Sequence, residues 1–406
     1  MKIHCTKQFA RAAALLAAII YGGNFLVQAQ LAPSCSVTWT GNACSVQSCS
    51  WSTAGNWSPR KVPGPTSDVC IPILTTADAT TTPSISVHSI QVAEGGSLLF
   101  GSGKVSIATS LINQGGITLF GTTLSAGSID LPSPGEIDVY NNSTITNPAF
   151  SNAAGTVSVG AGGTLRLTDN PVQLQNGNLS GGNWLVSSGV LIFPSDISQI
   201  TTQGTVAFGT VVSMDGTGSA VEDASGHNAL ATLTSVGSTA VLALFDGASL
   251  TVAQDLTSQG IVDVSGSLTV NGTYTQASGA TTNMGGSLSA TSVSVEPRST
   301  LGGSGTVASS VTNNGNVAPQ GSLTVTGNYT QTSSAALTEQ FGSTLHVNSS
   351  ATLVGALNVT VNPKRPPKSG QSYIALTFGS LNGSFTTHTA GFTLTTGAKS
   401  IQVTKQ

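Results

Sequence analysis

Two stretches of this chain repeat one another at an offset of 55 residues: LTSQGIVDVSGSLTVNGTYTQ from Leu256 and VTNNGNVAPQGSLTVTGNYTQ from Val311. Nine of their last eleven positions are identical, in a Gly-Leu-Val-Gly-Tyr frame that runs from Gly266 to Gln276 and from Gly321 to Gln331. A fainter relative, LINQGGITLFGTTL, starts at Leu111. Self-similarity at a fixed offset is the signature of a repeat architecture, in which each unit buries its apolar face against its neighbours. Within the repeats, four to six residues alternate apolar and polar before a Gly or Asn. In GSLTV, Leu268 and Val270 share one face and Thr269 the other. ALNVTV at 356 places Leu357, Val359 and Val361 together, opposite Asn358 and Thr360. A period of two residues is that of a half-buried strand.

Short strands at this density allow a sandwich, a propeller or a solenoid. Two-residue Asn-Gly hairpins are only occasional here, which counts against a sandwich. Propeller blades would recur along the whole chain with their own signature residues. The expected fold is therefore all-β, a right-handed parallel β-helix (β-solenoid). Stacked aliphatics fill its interior, and Gly and Asn make its turns because they tolerate left-handed backbone. The 55-residue offset then equals two or three coils. Gly266–Gln276 and Gly321–Gln331 occupy equivalent rungs.

Composition agrees. Only 7% of the 406 residues are charged and 5% aromatic, while 39% are hydrophobic and 48 are Gly. A disordered chain would lack the apolar residues and carry more charge. The surface must be built from Ser, Thr, Asn and Gln, which suits short strands and many turns.

Residues 1–29 read as a secretory signal: Lys2, Lys7 and Arg11, then AAALLAAII, then Val27-Gln28-Ala29 before a cleavage that leaves Gln30 first. The apolar run is short of the roughly 20 residues a membrane span needs. Cleavage lowers the thirteen basic residues to ten against sixteen acidic ones, so neither nucleic acid nor an anionic membrane surface is an expected partner. KRPPK, Lys364 to Lys368, is the single basic cluster and reads as a solvated turn.

Four Cys remain, Cys35, Cys44, Cys49 and Cys70, confined to one segment that also holds Trp39, Trp51 and Trp57. An even count in an exported chain reads as two disulfides, with three possible pairings. Zinc is the alternative, but no C-x-x-C pair and no His lie in the segment. A solenoid end exposes unpaired strand edges and an open core. Residues 30–84 are therefore expected to form a disulfide-bearing N-terminal cap, the alternative being a small separate domain attached by residues 75–84. Solenoid repeats follow over 85–345. Residues 346–406 form the last coils and a C-terminal cap.

These residues carry a resemblance. Trp51, Asn56, Trp57, Val62, Pro63, Gly64, Asp68, Val69 and Ile71 resemble the opening segment of exported bacterial β-helix proteins. Gly303 to Gln331 is similar to repeats of autotransporter passenger regions, and Ser369 to Phe385 resembles the last coils of such regions. The resemblance implies a parallel β-helix on or outside a bacterial cell. It implies no catalytic residue and no cofactor, and no membrane barrel of alternating strands follows the repeats here.

For chemistry, the densest polar constellation is Asp215, Glu222, Asp223 and His227 in MDGTGSAVEDASGH. It could serve as a calcium loop or an acid–base pair, but it lacks the D-x-D-x-D-G rhythm and has no Lys or Arg nearby in sequence. A solvated turn between coils is the competing reading. Asp130, Glu136 and Asp138 form a weaker group. Tyr274 and Tyr329 hold equivalent repeat positions and read as structural aromatics, with stacking on sugars as the alternative. The expected role is structural or adhesive: a rigid polar rod meeting extracellular glycans or cell-surface components. The other class is a polysaccharide-processing enzyme on the same fold, which requires carboxylates and a basic residue from successive coils to align on one face.

Overall fold

The computed structural model describes residues 35–44, 49–202 and 209–406. Residues 36–406 form one unit, a parallel β-solenoid of about 14 turns. At about 4.8 Å per rung that is a stack of roughly 65 Å. The described helix is a single 3-10 turn, Ala54–Asn56.

Each full turn lays strands on three sides. The A side holds Ser97–Phe100, Gly116–Phe120, Glu136–Tyr140 and Thr156–Val159, and continues to Ala356–Thr360. The B side begins with Ser84–Val87, and Ser89–Val92 lies on the C side, stacked on Asp68–Ile71 of the turn before. Later strands are long enough to bend round the corner from B to C. In Ser267–Gln276, residues 267–270 pair with 287–290 on the B side and residues 273–276 pair with 292–295 on the C side. A register shift between Val270 and Thr273 marks the corner. Alternation then dictates the core: Leu268, Val270 and Tyr274 are buried, while Thr269 and Thr275 face outward.

The repeated glycine of the motif has a steric cause. A Cβ at Gly272 would lie 2.7 Å from the Asp255 backbone nitrogen, and one at Gly327 would lie 2.6 Å from that of Ser310. Backbone of the preceding turn occupies the space that a side chain would need, so only Gly lets the corner close.

The repeated polar residues are also inside. Asn113 donates to the Glu136 carbonyl (2.7 Å) and accepts from the Gly115 N–H (3.1 Å). Asn313 donates to the Ala336 carbonyl (2.8 Å) and accepts from the Gly315 N–H (3.0 Å). Gln276 donates to the Ala280 and Thr300 carbonyls, and Gln331 to those of Val354 and Ala356. These buried amides tie together the backbone at the turn from C to A and leave few of their own polar groups unpaired inside the core.

The 55-residue offset is three turns. Tyr274 pairs with Val293, Val293 with Val311 and Val311 with Tyr329, so the two Tyr share one C-side column. On the B side the equivalence slips by two residues: Leu268 leads through Leu288 and Val307 to Val325, and Leu323 lies opposite Gly305. A slip of two keeps each side chain on its face.

At the N-terminal end, Val37–Trp39 pairs parallel with Asp68–Ile71 and antiparallel with Trp57–Ser58. Trp39, Trp51 and Trp57 are buried within the same hydrophobic core as the coils. Trp57 meets Trp39 at 4.8 Å and Trp51 at 4.7 Å, both edge to face, and its indole N–H donates to the Trp51 carbonyl (2.7 Å). Parallel rungs are already in place at Asp68–Ile71 and Thr76–Ala79, with Ala77 and Ala79 buried. The four described cysteines are all disulfide-bonded, Cys44 with Cys49 and Cys35 with Cys70. Peptide mapping of the oxidised protein under non-reducing conditions should recover these two crosslinked pairs. Alkylation of any of the four without prior reduction would contradict the assignment.

The opposite end changes strand direction. Ser372–Gly383 pairs parallel with Thr344–Leu353, then Ser400–Lys405 pairs antiparallel with it, and Phe392–Thr396 antiparallel with that. Lys364 to Lys368 lie in the loop before this cap.

Candidate functional site

Most turns of the A side start near-regularly, at Ser97, Gly116, Glu136 and Thr156, then again at Ile261, Thr281 and Thr300. Between them the starts spread to Asn183, Val211 and Val241. Most of the extra residues fall after the B-side strands Thr164–Leu167, Val190–Ile192 and Ala220–Glu222, and before the next A-side strand. Extra length in successive turns of a solenoid gathers on one flank, and that flank is where binding sites are commonly built.

The sequence cluster Asp215, Glu222, Asp223 and His227 sits at this flank but is divided between sides. Asp215 ends Val211–Asp215 on the A side, opposite Ser187 and Phe245. Burial and the nearby Asp246 charge raise its pKa, and a hydrogen bond from Ser187 opposes them. Glu222 lies on the B side, paired with Ile192 and bridged to Asn228. Asp223 begins a tight loop whose geometry it fixes: its Oδ1 accepts the N–H groups of His227 (2.9 Å) and Ser225 (2.8 Å). Those bonds hold its carboxyl below the usual range. The His227 side chain is 80% exposed, with Nδ1 3.6 Å from Asp223 Oδ2. This is the geometry of an Asx turn. Among the described residues, no group of three or more His, Cys, Asp or Glu is placed to hold a metal ion.

The weaker group divides as well. Asp130 is exposed on the C side, paired with Ser151. Glu136 and Asp138 are outward neighbours on one A-side strand. Burial, with the Asp138 charge second, pushes Glu136 up to about 7. Burial also raises Asp138, against a hydrogen bond with Ser158. Phe120 and Tyr140 stack beside them, 5.6 Å apart and inclined by 19°. The rungs above and below present Gly116 and Thr118, and Thr156 and Ser158, so neither brings a Lys or Arg to the pair. Arg166 is on the B side and donates to the Ala224 carbonyl.

Tyr274 and Tyr329 are fully buried. The Tyr274 hydroxyl bonds Thr282 Oγ1 (2.6 Å); the Tyr329 hydroxyl accepts from Asn313 (3.0 Å) and donates to Gln331 (2.8 Å). Burial raises both phenols, Tyr274 to about 12. They are core groups and offer no ring to a sugar.

What the C-terminal half does present is registered hydroxyl columns. On the C side, Thr257, Thr275, Ser294, Thr312, Thr330 and Thr352 follow one another outward in consecutive turns. On the B side, Ser249, Ser267, Ser287 and Thr306 do the same. Neither column contains a charge. Among the described residues no helix is long and apolar enough to cross a membrane, and the signal-like residues 1–29 lie outside those described. The chain matches no known protein family, no curated protein and no solved structure.

Proposed function

We propose that this chain is an exported, non-catalytic solenoid that acts by contact: a rigid rod whose hydroxyl-lined sides meet extracellular glycans or cell-surface components, in the manner of an autotransporter passenger region. The observation that carries the reading is the C-side column from Thr257 to Thr352, six turns of Ser and Thr at constant spacing without a charge. Short hydroxyls on adjacent rungs offer donors and acceptors at roughly 4.8 Å intervals along the stack, a pattern suited to a polymer of polar repeating units. Two disulfides in one end support an oxidising compartment outside the cytosol.

The second reading, a polysaccharide-processing enzyme, is favoured by one feature. Glu136 at about 7 is where a general acid works, and Asp138 stands two residues along the same strand. One set of purified proteins separates the two. Thr312→Lys with Thr330→Lys should abolish retention on insoluble glycans or whole cells while leaving the fold intact. Asp215→Ala, Glu222→Ala and Asp223→Ala should leave both unchanged. Unaltered retention in the lysine variant would sink the contact reading. Polysaccharide cleavage by the wild type, lost in Glu136→Gln, would replace it with the enzymatic one.

A further inference from the structure

The inward column of the A side is aliphatic for most of its length, from Leu119 and Val139 through Val264 to Met284. Near the C-terminal end the column changes. Met284 is followed by Gly303 and Pro319, and the next A-side strand, Ala336–Gln340, turns Leu337 and Glu339 inward. Glu339 is 0% exposed and stacks on Val359 of the following rung. Among the described residues, it is the first ionisable group in the column that runs from Leu119 through Met284, Gly303 and Pro319.

Its surroundings connect it to the cap. Glu339 Oε2 accepts a hydrogen bond from the Tyr373 hydroxyl (3.2 Å), and Oε1 has no partner. Tyr373 belongs to Ser372–Gly383, the strand on which the antiparallel cap is built. Its ring lies 4.7 Å from that of Phe341, which in turn lies 6.1 Å from Phe392 in the outer cap strand. A single carboxyl therefore sits beneath the first cap strand, at the edge of the aromatic cluster that joins cap to coils.

Among the described residues, no cation is turned toward it. The strands stacked on its own, Asn316–Val325 and Ala356–Thr360, carry no ionisable side chain. The titratable groups facing it are Tyr373 and Tyr329, and burial raises both phenols, so neither supplies a charge. His346, on Thr344–Leu353, bonds Thr377 through Nδ1 (2.9 Å). Lys405 donates to the Gly391 carbonyl (3.1 Å) and lies over the Phe392 ring, 5.2 Å from its centre. An ionised Glu339 would be a buried charge without a counter-ion, a state proteins avoid by keeping the proton or opening to water.

We propose that Glu339 is a proton-operated latch: with its carboxyl protonated, Ser372–Gly383 seats on the last coils, and loss of the proton loosens that strand together with the cap it carries. Burial holds Glu339 well above the usual carboxylate range, outweighing the hydrogen bonds from Tyr373 and the Leu345 N–H. The sign follows. A carboxyl raised on folding contributes stability that is fully present below its unfolded value of about 4.3 and is lost as pH rises through the folded value. The cap is firm in acid and weakens toward alkaline pH.

Hydrogen exchange of the mature chain, corrected for intrinsic rates, reads the latch directly. Protection of residues 372–405 should fall at least about tenfold between about pH 5 and about pH 8, while residues 261–295 keep theirs. Glu339→Gln, neutral and nearly isosteric, should abolish the fall and stay protected at both pH values. Glu339→Leu, which restores the aliphatic column, should do the same. A flat wild-type profile would overturn the proposal, as would a pH-dependent loss that persists in a folded neutral variant.

Discussion

Leu323→Asp should destabilise the solenoid by at least about 3 kcal/mol, and Thr324→Asp, one residue along, by no more than about 0.5 kcal/mol. Leu323 is fully buried, stacked on Leu345 of the next turn and lying opposite Gly305 of the turn before. A carboxylate there loses its hydration and finds no donor among aliphatics. Its escape is to take up a proton or to pull the rung open. Thr324 points outward between Thr306 and His346, so an Asp there remains hydrated and gains an imidazole neighbour. The same contrast is expected for Leu268→Asp and Thr269→Asp, whose outward neighbours are Thr251 and Ser289. Solenoid contacts are between neighbouring turns, so the damage should spread from the altered rung as local fraying. Hydrogen exchange and thermal melts on the four variants test it. If both Thr variants melt as early as the Leu variants, the outward columns are not solvent-facing and the three-sided sheath is wrong.

Trp57→Ala should cost about 3–5 kcal/mol, the range for deleting a buried aromatic. Trp57 is the middle ring of the N-terminal cluster: it meets Trp39 and Trp51 edge to face, and its indole N–H satisfies the Trp51 carbonyl. Truncation leaves both a cavity and an orphaned carbonyl. The loss should fall on the first rungs, Asp68–Ile71 and Thr76–Ala79, and leave the Tyr329 region protected. Trp57→Phe, which keeps the ring contact and drops the donor, should be intermediate. Full protection of the first rungs in Trp57→Ala would show that the disulfides alone close this end.

Alternation made most of the fold legible. GSLTV declares its inward residues without coordinates, and the 55-residue echo declares that turns stack; in ALNVTV, Leu357 and Val359 are buried as expected, but Val361 lies past the end of the strand and is 40% exposed. The limit was lateral distance. Asp215 and Asp223 are eight positions apart in sequence, yet the chain turns from the A side to the B side between them, and no local pattern reports a corner. The cysteine pairing was equally hidden, because composition alone leaves three solutions open. Glu339 was readable in principle. ALTEQ alternates with Leu337 inward, so two residues on the acid must point inward as well. A lone Glu in a polar chain is ordinary until its parity is counted. The long turns between Thr156 and Ile261 had no signal, since their added residues follow no period.

The two-residue slip between Leu268 and Leu323 bears on how a chain of this kind can change length. Inserting or deleting one residue within a rung would invert inside and outside for the rest of that strand, turning its leucines to water and its threonines to the core. A change of two leaves that order intact and shifts the hydroxyl pattern by one step along the strand. Viable length variants should therefore favour even changes within strands and accept any number at the corners, as the widened flank between Thr164 and Val241 already does. Selection on such a lineage would act as a parity filter, and its traces would be legible in the lengths of related repeats before any side chain is compared.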